Sequence, residues 1–237
     1  MAQSIFEDMK NGTDDICGGG IWWKKDRKYK NAIANELYLS VAASLANRVP
    51  YRKDDYLDIA KAEWTWFRNS SMINDKNLIN DGLLINPDGS CVNNGLNTWS
   101  YNQGVVLGGL VELSKATGDP SYLDQATAIA KAALLLLSDN TGIIREVDRC
   151  EPNCGSDGSQ FKGVFVRNLG YLHAAAPQDV FRTAIMANAD SIWRNDRDAN
   201  NQLGISWSGP VSAGNGPNAS THSSAMDVMV AAMALVA

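Results

Sequence analysis

The sequence predicts an all-α chain of helical hairpins. Three observations predict it. Apolar residues recur at helical spacing through most of the chain. Gly118-Asp119-Pro120 offers a C-cap glycine, an N-cap aspartate and an N1 proline in the order that joins two helices. No segment alternates persistently enough to form a sheet.

Residues 1–10 read as the tail of an amphipathic helix. From Asn31, the apolar residues Ile33, Leu37, Val41 and Leu45 recur at every fourth position, with Ala34, Ala42 and Ala46 widening the stripe until Pro50 closes the helix. Asp54 and Asp55 stand at the next cap position, and Leu57, Ala60, Trp64 and Phe67 share one face up to Asn69. Residues 98–115 carry Val105, Val106, Leu110, Val111 and Leu113, and residues 122–137 form their partner helix. Further helices are predicted over 161–173, 180–194 and 221–236. The run from Asp55 to Ala60 resembles that from Ser121 to Ala126, and the two lie 66 residues apart. That period exceeds the ~33–34 residues of common helical arrays and suits a toroid of larger helical pairs. Long connections at 11–30, 70–97, 141–160 and 195–219 alternate with short turns, which gathers the long loops on one rim as the binding face.

The composition describes one globular domain over residues 1–237, with 45% hydrophobic and 20% charged residues and a mean hydropathy of -0.22. A net charge of -5 lacks the basic footprint that nucleic acid requires. The longest apolar runs fall short of the ~20 residues that cross a bilayer, and no basic segment followed by an apolar one marks a secretory leader at the N-terminus. Cys150 and Cys154 have C-x3-C spacing with no His in ligand register, and only His173 and His222 exist. A zinc site does not follow, no cofactor is implied, and a local disulfide is expected if geometry permits. Sequons at Asn11, Asn69 and Asn218 tilt the reading towards the secretory pathway.

Loops 14–23, 80–82 and 98–104 hold the chemistry-bearing groups. Asp14-Asp15, Gly18-Gly19-Gly20 and Trp22-Trp23 combine carboxylates with indole faces, the mixture that binds sugars. The alternative is a tight glycine turn with packed tryptophans. Asp81 follows Asn80, and Trp99, Tyr101, Asn102 and Gln103 lie across a helix start where Thr98 could cap. Lys162 and Arg167 add cations at another helix start, as possible partners of carboxylates. Asp54-Asp55 reads as a helix start, and both histidines read as structural.

The strings Cys17-Gly-Gly-Gly-Ile-Trp-Trp23, Lys30-Asn-Ala-Ile-Ala-Asn-Glu-Leu37, Trp99-Ser-Tyr-Asn-Gln-Gly-Val105 and Phe161-Lys-Gly-Val-Phe-Val-Arg-Asn168 resemble glycoside hydrolase family 76, the endo-α-1,6-mannanases and related fungal cell-wall proteins. The resemblance runs in collinear order over nearly the whole chain. It implies an (α/α)6 toroid, an α-mannan substrate, secretion or cell-wall association of the full-length proteins, and a retaining mechanism with two adjacent aspartates. It also implies that this pair belongs to a helix upstream of residues 5–10, so that Asp14-Asp15 does not inherit the catalytic role and no catalytic residue lies in the chain. The toroid is then incomplete, its first helices missing, with an open apolar edge that offers a surface for self-association. Trp22, Trp23, Asp81, Trp99, Tyr101, Asn102, Gln103 and Lys162 are the residues expected to bind mannan. The expected behaviour is a hydrolase or transglycosylase domain inactive by itself, the alternative a non-catalytic mannan-binding or scaffold protein.

Overall fold

The computed structural model describes residues 1–211 and 216–236. Helices α1 (Ala2–Lys10), α2 (Ala32–Arg48) and α3 (Lys53–Asn69) are followed by a hairpin of two short strands, β1 (Leu83–Ile85) and β2 (Cys91–Asn93). Then come α4 (Ser100–Thr117), α5 (Ser121–Leu137), the single turn α6 (Gly155–Gly158), α7 (Phe161–Ala175), α8 (Asp179–Asn195) and α9 (Ala219–Met233). The seven longer predicted helices are all present. The β-hairpin was not predicted: three residues a side, pairing Leu83 with Asn93 in antiparallel register, are too few to show alternation.

Two compact units divide the chain, one of Met1–Thr98 and Val105–Ile129, the other of Trp99–Gly104 and Ala130–Ala237. In the first unit, α2 packs against α1 and α3. Phe6 of α1 is fully buried, stacked on Tyr38 at 5.1 Å and edge-on to Tyr56 at 5.7 Å. In the second unit, α7, α8 and α9 pack on one another around buried Phe165, Leu169, Phe181, Ile185 and Val228.

Two local expectations need correction. The buried face of α2 only partly matches the expected stripe: Ala42, Leu45 and Ala46 are buried as expected, but Leu37 is 44% exposed, and Asn35, Glu36, Leu39 and Ala43 are buried instead. Polar Asn35 and Glu36 on the inner face hid its true phase. Asp54 and Asp55 do not cap α3, whose N-cap position is Arg52. They lie in the first turn, where negative charge suits the helix dipole.

The turn between α4 and α5 follows the sequence. Gly118 takes φ +75° and Asp119 accepts from Ser121 N at 2.9 Å. Asn218 and Thr221 form a reciprocal capping box at α9. The repeat seen at the starts of α3 and α5 extends into the loops after the helices. Asn74, Asp139 and Asp198 open three loops of the same build, each backbone N–H donating four residues ahead at 2.9 Å, to Leu78, Ile143 and Gln202. Each side-chain oxygen accepts from the amide two residues on, at 3.0, 2.9 and 2.9 Å. Each loop turns through a left-handed residue three positions along, Asn77, Gly142 and Asn201. Asx turns of this kind explain the choice of Asn and Asp.

Candidate functional site

In the first unit, the loop between α1 and α2 is tied from within. Lys30 is fully buried, and its ammonium donates to Asp14 Oδ1 at 2.8 Å, Ile16 O at 2.6 Å and Gly19 O at 2.7 Å. Trp22, 8% exposed, gives its indole N–H to Asp14 Oδ2 at 2.6 Å, and Lys30 lies 4.7 Å from its ring centroid. Burial would raise the Asp14 carboxyl, yet the bonds from Lys30 and Trp22 hold it below the usual range.

The glycine run serves a packing need. Trp66 of α3 donates to Cys17 O at 2.9 Å, and its ring lies where a Cβ on Gly19 or Gly20 would stand, 2.9 and 2.3 Å away. Cys17 is disulfide-bonded to Cys91 of β2, a pairing the sequence did not reveal. Trp23, by contrast, is 50% exposed, with Tyr29 edge-on at 6.1 Å.

Asp81 is placed by backbone pairing. Its carbonyl accepts from Ala32 N at 2.8 Å, and Leu83 N donates to Lys30 O at 3.0 Å. Gly82 is required there, since a Cβ would stand 2.7 Å from Lys30 O. Neighbouring Asn80 braces the loop, accepting from Asn74 at 2.9 Å and Asn93 at 3.0 Å. The half-buried Asp81 carboxylate takes the Tyr29 hydroxyl, and Asn94 donates to that hydroxyl at 2.9 Å. Behind it, Glu36 is fully buried with both oxygens lacking a partner among the described residues. Burial first, and the charge of Asp81 second, push its carboxyl well above the usual range. Burial also lifts Glu63 to about 8 against the pull of Lys30.

In the second unit, α4 begins with the predicted polar cluster. Glu146 holds this end, accepting from Ser100 N at 2.9 Å and Ser100 Oγ at 2.6 Å. Tyr101 lies 4.0 Å from Phe161 between centroids, and Trp99 meets the same ring edge-on at 5.8 Å. Gln103 is buried and donates to Trp99 O at 3.1 Å. Asn102 is fully buried, and neither amide atom has a partner among the described residues.

Lys162 requires a correction as a sugar ligand. It is 2% exposed, donates to Glu151 Oε1 at 2.9 Å and Ile205 O at 2.8 Å, and lies 4.5 Å from the Trp207 ring centroid. Its burial lowers the ammonium, and Glu151 opposes that. Asp196, also buried, is raised by burial to about 7. Lys162 is thus a core charge held among carboxylates. Arg167 pairs with Asp227 at 3.3 Å.

His173 and His222 accept backbone N–H bonds at Nδ1, from Gln178 at 3.3 Å and Leu203 at 3.2 Å. Cys150 and Cys154 form the expected local disulfide. Cys150, Glu151 and Cys154 lie close enough for a metal, but the bonded sulfurs present no thiolate. Sequence reading missed Tyr29, Glu36, Glu63, Glu146 and Asp196, whose roles arise from contacts distant in sequence; only Glu36 lies in a quoted motif, the string from Lys30 to Leu37.

Comparison with known proteins places this helical architecture among glycosidases of the α/α-toroid class. The structure matches an inactive variant of the α-1,6-mannanase GH76A of Salegentibacter sp. HEL1_6 in complex with α-1,6-mannotriose, at TM-score 0.86 and 26% identity, over 98% of this chain and 68% of that one. Dfg5 from Chaetomium thermophilum, in complex with glucosamine, matches at TM-score 0.81 and 20% identity, over 99% of this chain and 60% of that one. Residues 1–236 match the model of glycosyl hydrolase family 76, and the chain belongs to that family. Mannan endo-1,6-alpha-mannosidase DFG5 of Candida albicans is 30% identical over 205 residues, covering 80% of this chain and 44% of the relative. Its Saccharomyces cerevisiae namesake is 28% identical over 222 residues, 87% of this chain and 47% of the relative. The chain therefore spans less than half the length of the curated relatives it matches.

Proposed function

We propose that this chain is the mannan-binding part of a glycosidase acting on α-1,6-linked mannan, and that by itself it binds the glycan without cleaving it. The carrying observation is the state of Asp14. The Salegentibacter mannanase is inactive when two adjacent aspartates are replaced together. In this sequence adjacent aspartates occur as Asp14-Asp15 and Asp54-Asp55. Asp14 is bound by Lys30 and Trp22 and held low, the opposite of what a proton donor needs. Asp55 is engaged by Arg52 at 3.1 Å in the first turn of α3.

Binding falls to groups with free chemistry. Asp81, oriented by Tyr29, offers carboxylate lone pairs to sugar hydroxyls, and the exposed face of Trp23 covers the C–H face of a pyranose. In the second unit the partly exposed Trp99 and Tyr101, both packed on Phe161, are the further candidate aromatic faces, whereas Asn102 and Gln103 are buried and Trp22 gives its indole N–H to Asp14. The disulfides and sequons favour an oxidising, secretory setting and a glycoprotein of the cell surface. The test is calorimetric titration of the folded chain with α-1,6-mannotriose, followed by product analysis after incubation with α-1,6-mannan. Saturable binding without products is expected, with Asp81→Asn weakening it about tenfold, the scale of one charged hydrogen bond. Released oligosaccharides would overturn the non-catalytic reading, and absence of binding would overturn the mannan assignment.

A further inference from the structure

In a chain of net charge -5, the exposed stretch Trp23–Lys28 carries Lys24, Lys25, Arg27 and Lys28 against the single acid Asp26. Among the described residues no carboxylate pairs with Lys24, Lys25 or Lys28, while acids elsewhere take up other cations of the surface. Arg27 fixes the turn: it sits at φ +51° and donates to Asn11 O at 3.2 Å and Asp14 Oδ2 at 3.5 Å. Lys24 lies 4.0 Å from the centroid of the Trp23 ring, so cation and indole share one spot. The turn borders a groove of about 400 Å³ lined by Trp22, Trp23, Lys24, Lys25, Arg27 and Asn11, among others.

We infer that this groove is a subsite for an anionic mannosyl unit, a mannooligosaccharide carrying a phosphate group. The inference rests on the mannan reading above and adds the substituent. An indole takes the C–H face of the sugar, and unpaired ammonium groups beside it are point charges suited to phosphate. A neutral glycan leaves these lysines with nothing to recognise. Asp8 also lines the groove and is the one carboxylate among its lining residues.

The experiment compares affinities of the folded chain for α-1,6-mannotriose and for the same trisaccharide phosphorylated on its terminal 6-hydroxyl, at low and raised salt. Inorganic phosphate alone and vesicles of anionic phospholipid are run beside them. The phosphorylated sugar is expected to bind roughly tenfold more tightly, because charge-assisted bonds exceed neutral ones, and the advantage should shrink with salt. Lys24→Gln with Lys25→Gln should abolish the preference and leave neutral mannotriose within about twofold. Both lysines are exposed, so the variant keeps the fold, checked by its melting curve.

Equal affinity for the two sugars overturns this inference and leaves the mannan reading standing. A preference that survives in the lysine variant also overturns it, as does phosphate alone binding as tightly as the sugar phosphate. Vesicle binding without preference between the sugars would assign the turn to a membrane surface and overturn it too. If the phosphorylated sugar binds and the neutral one does not, the anionic subsite is supported and the reading of plain mannan as sufficient ligand fails.

Discussion

Lys30 and Asp14 form an ion pair at 2.8 Å in which the ammonium is fully buried and the carboxylate side chain is 25% exposed. The same ammonium takes the carbonyls of Ile16 and Gly19, so one cation organises the loop ahead of Trp23. Asp14, the first of two adjacent aspartates, is thus engaged in holding this loop.

Lys30→Met should cost about 3 kcal/mol, since it strips a buried charge from a partner that stays behind. In a chain of this size that lowers Tm by roughly 6 to 12 °C. The Asp14 contribution is present above the ordinary carboxylate range and is lost as pH falls through the depressed folded-state value. A Lys30→Met melting curve like that of the parent would refute this account.

The disulfides should differ in weight. Cys17 and Cys91 are 74 residues apart in sequence, Cys150 and Cys154 only 4. By loop entropy, the first stabilises by about 4 kcal/mol and the second by about 2 kcal/mol. Paired serine variants compared by urea denaturation measure the order, and a larger loss from the short loop would contradict it.

Glu63 titrates near 8 in the folded chain because it is buried, against ~4.3 when unfolded. Between those values the folded state holds a proton that the unfolded state has released, so stability falls as pH rises through this window. Glu63→Gln should reduce that decline between pH 5 and 8. Equal slopes for parent and variant would show that Glu63 is ionised in the fold.

The glycine run yields a graded expectation. Gly18 and Gly20 both have positive φ, but a Cβ on Gly18 meets nothing within 4 Å, whereas one on Gly20 meets Trp66 at 2.3 Å. Gly18→Ala should cost about 1 kcal/mol for the left-handed backbone, and Gly20→Ala clearly more, because Trp66 must move. Equal losses in thermal melts would mean that Trp66 is not what the glycines accommodate.

Helix positions were legible because their signals are local. The Gly118-Asp119-Pro120 turn and the faces of α3 and α4 depend on neighbours within a turn or two, whereas the Asn218 cap, read in the sequence only as a sequon, came from the structure. The phase of α2 was not legible, since buried Asn35 and Glu36 break the apolar period. Of the candidate ligands, Trp23 is exposed and Asp81 half-buried, while Lys162 is enclosed in the core.

The sequence by itself determined the all-α class, the alternation of short turns with long polar loops, the Gly118-Asp119-Pro120 turn and the family, because these rest on spacing and on strings of adjacent residues. Only the tertiary structure decided the use of each charge. Lys30 meets Asp14, Lys162 meets Glu151 and Glu36 lies behind Asp81 through contacts across loops and between helices, and burial then sets which of them stays ionised. Desolvation and partner charge are properties of a place in the fold, and no spacing in the chain encodes them.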